Sequence, residues 1–257
     1  MKQHTYIHQD ANIGKNLKID SFSSIHENVI IGDNCWIGSN VTIFPGARIG
    51  SNCKIFPGAV ISAIPQDLKF RGEDTTANIG DNVTIRECVT INRGTNYSNK
   101  TIIDDNCFLM AYSHVAHDCI IKKNVIIANS VAIAGHVEID EFAIIGGLAA
   151  LQQFTKVGRN SMISGGSLVR KDVPPYIKVA KEPLRFIGIN KIGLSRNNFK
   201  EHEIQNIQSI YRIIFQEGNN ISKAINIIEN NDQNSKEKEE IVNFIKKSKT
   251  GIVKGFI

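Results

Sequence analysis

An aliphatic side chain recurs at every sixth position over most of this chain. The run begins at Ile7 and passes through Ile13, Ile19, Ile25, Ile31, Ile37, Ile43, Ile49, Ile55 and Ile61. It resumes at Ile79, Ile85 and Ile91, then continues from Ile103 to Val169. Of the 28 positions in this frame between residues 7 and 169, 25 are Ile, Leu or Val, and the exceptions are Asp67, Glu73 and Tyr97. Helices and strands have side-chain periods of about 3.6 and 2, so neither alone produces six. A triangular coil does: each strand and turn uses one hexapeptide, the aliphatic residue points inward, and three sides make a coil of about 18 residues. The fold predicted is mainly β, a left-handed parallel β-helix of hexapeptide repeats, with a small α-helical C-terminal domain.

The fifth position of the frame is small or modest in size, as at Ala11, Ser23, Val29, Cys35, Ala47 and Cys53. Cys107 and Cys119 share that slot, so four of the five cysteines read as interior packing residues. No CxxC spacing supports a zinc knuckle or a redox motif. Gly and Asn recur beside the aliphatic residue, as in IGDN at 31 and IGSN at 37 and 49. Both tolerate the positive φ that tight corners need.

Two segments, 62–78 and 92–102, lose the pattern and rejoin it in phase, as loops thrown out of a rigid scaffold do; ligand contacts concentrate in such loops. The coil is expected over residues 1–176, ending where Pro174 and Pro175 oppose another ladder strand. Residues 177–257 read as the C-terminal domain, with helices over 198–217, 222–229 and 235–247. Asn198, Ser222 and either Asn234 or Ser235 are the expected N-caps, and Gly218 a stop. Ile204, Ile207, Ile210, Tyr211 and Ile214 form one apolar side, suited to covering the open end of the coil.

The chain has 257 residues and a net charge of +5. Residues 1–170 carry 15 Lys and Arg against 15 Asp and Glu, and residues 171–257 carry 15 against 10, so the whole surplus lies in the C-terminal third. Such a module attracts nucleic acid, anionic lipid or an acidic protein, or is simply a solvated helical face. No apolar run approaches a membrane span and the N-terminus has no apolar signal segment, which points to the cytoplasm without stable membrane insertion.

Residues 112–138 hold three of the seven histidines. With 18 residues per coil, Gly135 lies one coil above His117 and Asp118 one coil below His136, with His114 close by. A histidine whose tautomer is held by a carboxylate is suited to general-base work. A glycine above it leaves a backbone N–H open to an oxyanion. No serine or cysteine adjoins to act as a nucleophile, so direct transfer is favoured. A three-histidine zinc site is the competing chemistry, and a catalytically silent scaffold trimer the competing class.

The motifs QDLKF at 66–70, AHDC at 116–119, AGH at 134–136, FAIIGG at 142–147 and DVPPY at 172–176, in that order, resemble the UDP-N-acetylglucosamine 3-O-acyltransferases, the first enzymes of lipid A synthesis. The resemblance implies that His117 is the general base, Asp118 its orienting partner and Gly135 the oxyanion donor. It implies substrate contacts from Gln66, Asp67, Lys69, His114, His136, Gln152, Gln153, Asn190 and Arg196. It further implies a homotrimer with sites between neighbouring coils, UDP-N-acetylglucosamine as acceptor, and acidic acyl carrier protein, not nucleic acid, as the partner of the basic C-terminal third. No metal or cofactor is implied beyond the donor's phosphopantetheine. An N-acyltransferase acting on a 3-amino or O-acylated amino sugar keeps the same fold. Gln152, Asn92, Ile192 and Asn197 depart from the family's usual residues. The MISGGS segment at 162–167 would set acyl length; Gly165 and Gly166 offer no side chain as a stop, and Met162 is the nearest bulky floor, which predicts a long 3-hydroxyacyl chain.

Overall fold

A computed structural model describes residues 4–231 and 235–255 of the chain. Among the described residues the strands form three sheets of nine, eight and ten strands, most of them two residues long and all parallel but for the last strand of the third sheet. Successive strands of one sheet are 18 residues apart, as in the pairings Ile7↔Ile25 and His114↔Ala132. The frame residues stack inside this left-handed β-helix, and those from Ile25 to Val169 are buried almost without exception. Each buried isoleucine contributes about 1.5–3 kcal/mol. Cys35, Cys53, Cys107 and Cys119 are buried there too, each thiol donating to a carbonyl.

The excursions are shorter than the pattern suggests, because strands Val60–Ala63, Thr76–Ile79, Thr90–Asn92 and Lys100–Ile103 extend into them. The loops proper span 64–75 and 93–99. Ile49 pairs with Ile79 and Ile79 with Ile103, separations of 30 and 24 in place of 18, so they add two hexapeptides and one. Whole-hexapeptide insertion is why the frame survives. Both loops leave from the edge between the first and second sheets.

Glycine and asparagine serve different needs. Asn16, Asn34, Asn52, Asn82, Asn106, Asn124 and Asn160, at the edge between the second and third sheets, take the left-handed backbone with φ between +53 and +60°. Gly32 and Gly50 are glycine because of crowding instead: a Cβ on Gly32 would lie 2.7 Å from the Ser51 nitrogen, and one on Gly50 2.4 Å from Asp81 Oδ1.

The prolines do not end the sheet. Strand Ile177–Ala180 pairs in parallel with Met162–Ile163 and is itself joined by antiparallel Arg185–Ile189. Ile163 pairs with Val179, a separation of 16, so this last turn slips out of the six-residue frame and escapes a search based on it. Four helices follow among the described residues: α1 (Lys191–Arg196), α2 (Glu201–Phe215), α3 (Ile221–Glu229) and α4 (Lys236–Lys247). α1 is absent from the sequence expectation. α2 buries the predicted side and starts later than Asn198, with Glu203 accepting from the Lys200 N–H. Asn220, not Ser222, caps α3, and Ser235 caps α4; Asn234 lies outside the described residues. Tyr211 of α2 donates to the Pro175 carbonyl, which ties the helices to the end of the coil.

Candidate active site

The site is built on the edge between the first and second sheets. Strand His114–Val115 runs into that edge, where His117 and Asp118 are 5% and 4% exposed. Asp118 takes the left-handed corner, φ +60°, which turns its carboxylate back onto the preceding ring. His117 Nδ1 lies 2.7 Å from Asp118 Oδ2. The loop at 93–99 supplies the remaining partners. Thr95 donates its hydroxyl to Oδ2 at 2.7 Å and its N–H to the carboxylate; Ser98 donates its hydroxyl to Oδ1 at 2.5 Å and its N–H at 3.2 Å. Burial alone would raise the Asp118 pKa, but the hydrogen bonds from His117, Ser98 and Thr95 outweigh it and hold the group well below the usual carboxylate range.

Gly135 sits one coil beyond His117, where a Cβ would lie 2.6 Å from Cε1 and 2.8 Å from Nε2 of the ring. Only glycine lets the backbone approach the imidazole this closely. Among the described residues no protein acceptor takes the Gly135 N–H. His136, also left-handed, stands edge-on to His117 with ring centroids 5.0 Å apart. Phe154 stacks on it at 4.3 Å, and Tyr97 meets it edge-on at 4.5 Å. Its Nδ1 is buried without a hydrogen bond among the described residues, and Asp118 Oδ2 at 4.0 Å is too distant to supply one. His114 is half-buried with Nδ1 2.7 Å from Thr90 Oγ1. Desolvation lowers the pKa of both His114 and His136; repulsion by His117 adds to it for each, while Asp118 and Asp67 oppose it at His136. The cluster is a proton acceptor with a fixed tautomer beside an open backbone donor.

The donor set does not suit a resident metal. His117, Asp118 and His136 offer ligand atoms within 4.8 Å of one another. His117 Nδ1 and both Asp118 oxygens are already committed to hydrogen bonds, and His114 turns its Nδ1 to Thr90. A zinc ion on Asp118 Oδ2 would have to take the place of the His117 and Thr95 contacts to that oxygen.

Residues 172–253 match the family described as Udp N-acetylglucosamine O-acyltransferase, domain 2, residues 100–135 the bacterial transferase hexapeptide repeats, and residues 1–105 the GMPPB C-terminal domain. Over 254 residues, 97% of this chain and 95% of its own length, the acyl-[acyl-carrier-protein]–UDP-N-acetylglucosamine O-acyltransferase of Campylobacter concisus is 35% identical. A crystallographically determined UDP-N-acetylglucosamine acyltransferase from Bacteroides fragilis superposes with a TM-score of 0.97 at 49% identity, covering 99% of this chain and 100% of that one. The Francisella novicida enzyme superposes with a TM-score of 0.94 at 36% identity, covering 98% and 92%. This chain belongs to the UDP-N-acetylglucosamine O-acyltransferase family.

In this member of the family the other expected residues are unevenly placed. Gln66, Asp67 and Lys69 lie in the loop at 64–75, with Asp67 accepting from the Lys69 N–H and close enough to bear on His136. Gln152 and Gln153 are exposed on the same edge, one coil beyond Gly135. Asn190 is elsewhere: buried at the asparagine edge, it caps α1 through Oδ1 and donates to the Asn160 carbonyl. Asn197 donates to Asn160 Oδ1, while Arg196 and Ile192 are exposed on α1. Met162 points outward from the third sheet, and Gly165 packs on the Gly147 carbonyl at the edge after it. A single chain therefore does not bring Asn190, Arg196, Met162 or Gly165 to His117.

Thr95, Ser98, Tyr97 and Phe154 escape sequence reasoning. The first two act from a loop outside the frame. Tyr97 and Phe154 did leave signals: Tyr97 breaks the six-residue frame, and Phe154 stands at φ +64° where the other edge uses asparagine.

Proposed function

We propose that this protein moves a 3-hydroxyacyl chain from acyl carrier protein to the glucosamine 3-hydroxyl of UDP-N-acetylglucosamine, the first step of lipid A biosynthesis, by general-base catalysis without an acyl-enzyme. The observation that carries this reading is the arrangement of His117, tied through Nδ1 to Asp118, against the uncapped N–H of Gly135. With its proton on Nδ1, His117 presents Nε2 as the base. It takes the proton of the 3-hydroxyl as that oxygen attacks the thioester carbonyl. The Gly135 N–H donates to the oxyanion that forms, a contact that strengthens as charge develops. Collapse breaks the carbon–sulfur bond, and the imidazolium returns its proton to the thiolate of the phosphopantetheine arm.

The reading carries a homotrimer. His117 lies between the first and second sheets, whereas Met162 is on the third and Gly165 at the edge after it, so an acyl groove running to them needs a neighbouring copy. The basic C-terminal third gives acidic acyl carrier protein a surface for charge-steered encounter. The reaction is placed in the cytoplasm, requires neither metal nor cofactor, and uses a long acyl chain, since Gly165 and Gly166 raise no side-chain barrier.

The test is incubation with UDP-N-acetylglucosamine and a ladder of 3-hydroxyacyl carrier proteins, with mass detection of product and the 3-amino sugar as competing acceptor. Transfer to the hydroxyl is expected, and His117→Ala should reduce it about a hundredfold or more. Preference for the amine would replace this function with N-acylation, and undiminished transfer by His117→Ala would remove the mechanism.

A further inference from the structure

We infer that Thr95 and Ser98 are positioning residues for the acyl transfer: the loop at 93–99 is a clamp that fills the Asp118 carboxylate and aims it at His117. The inference rests on the reading of His117 as base. The loop adds one hexapeptide to the coil, and it closes on the site edge. Thr75 donates to the Gly94 carbonyl at 2.6 Å at the loop's mouth, where a Cβ on Gly94 would lie 2.3 Å from the Lys100 nitrogen. Beyond that neck Thr95 is buried.

The direction of each hydroxyl is determined. Thr95 Oγ1 accepts from the Tyr97 N–H at 3.2 Å, which leaves its proton for Asp118. Ser98 Oγ lies 2.9 Å from the Lys100 carbonyl and 2.5 Å from Asp118 Oδ1, and one hydroxyl proton serves only one of them. The ionised oxygen is the stronger acceptor. With Oδ1 occupied by Ser98 and Oδ2 shared by Thr95 and His117, the carboxylate has no freedom to rotate. It is held off His136, 4.0 Å away, and onto His117, 2.7 Å away. The same loop lays Tyr97 against His136. One short insertion thus orients both the carboxylate and the second imidazole.

Loss of the hydroxyls has an electrostatic consequence that a packing defect lacks. A carboxylate with fewer donors holds its charge less dispersed and stabilises an imidazolium beside it more strongly. The groups facing His117 are Asp118, His136 and His114. Of these only Asp118 changes partners in the variants.

The experiment compares wild type, Thr95→Val/Ser98→Ala and Thr95→Ser by the pH dependence of kcat and by the 15N shifts of the His117 ring. In the double variant kcat should fall about tenfold or more with KM for the nucleotide sugar within twofold. The acidic limb should move to higher pH, and Thr95→Ser should stay near wild type. An unmoved limb, a KM effect without a kcat effect, or equal damage in Thr95→Ser would overturn the inference. If the double variant does not fold, Ser98→Ala alone takes its place with the same outcomes. Should the wild type transfer no acyl group, the proposed function fails separately. The ring shifts then decide: altered His117 titration in the variant supports the clamp, and unaltered titration overturns it.

Discussion

Two edges of the same prism share their backbone and differ in chemistry. At the edge between the second and third sheets, the N–H groups of Lys15, Asp33, Ser51 and Asp81 each donate to a side chain of the next coil, Asp33, Ser51, Asp81 and Asp105 in turn. At the edge between the first and second sheets, the equivalent N–H of Gly135 reaches no such cap among the described residues. The left-handed slots diverge likewise: asparagine fills most of them between the second and third sheets, whereas the site edge has Asn28 and Gly46 early and then Asp118, His136 and Phe154. A repeat shows where function lies by where it stops satisfying itself. Over these coils the asparagine edge spends its donors on the repeat itself, and the site edge leaves one open beside His117.

The largest effect should come from Gly135→Ala set against Gly32→Ala. A methyl on Gly32 meets backbone of the next coil at 2.7 Å, so the coil must open, costing about 1–3 kcal/mol of stability. Activity per folded molecule should hold. The three atoms nearest a methyl on Gly135 all belong to the His117 ring, so the strain falls on a side chain and not on the coil's backbone. Stability should change little while kcat falls more than about a hundredfold, because the proposed base and the proposed oxyanion donor lose their registry together. Urea midpoints and turnover on both variants check the pair. If Gly32→Ala lost turnover equally while folded, the division between the edges would fail.

That division explains what the sequence made legible. The six-residue frame is a packing signal, so it predicted the coil, its register and the placement of Gly135 over His117. It is blind to departures from its own period. The strand Ile177–Ala180 follows a separation of 16 and was expected to be absent. Thr95 and Ser98 reach Asp118 through a loop whose hydrogen bonds leave no periodic trace. Glycine was assigned to positive φ where its cause is a neighbouring backbone, since both causes select the same residue. Asn190 shows another limit: an amide matched to a family motif also serves as a helix cap, and only coordinates reveal which groups it touches.

A smaller effect exchanges the edges' residues. Asn124 has φ +60°, and Asn124→Ala should cost about 1–2 kcal/mol, with turnover unchanged. His136→Asn keeps a residue that tolerates φ +63° and should leave the urea midpoint nearly unmoved, yet turnover should drop as the ring between Tyr97 and Phe154 is lost. A midpoint loss in His136→Asn as large as in Asn124→Ala would mean that the imidazole is there for packing.

The smallest effect is protonic and comes from two histidines of the site. His114 and His136 have folded pKa values below the ordinary 6.5, chiefly through desolvation. Below 6.5 the unfolded chain therefore binds more protons than the folded one at these two positions. Stability is fully present above 6.5 and is lost as pH falls through the folded values. Urea midpoints should decline on acidification from neutral pH, before the carboxylates titrate. In His114→Gln/His136→Gln that early decline should flatten, because glutamine has no proton to take up. Asn106→Ala and Asn124→Ala, on the other edge, should lower the midpoint by the same amount at every pH and leave its slope alone. An unchanged slope in the histidine variant would place the proton uptake outside the site.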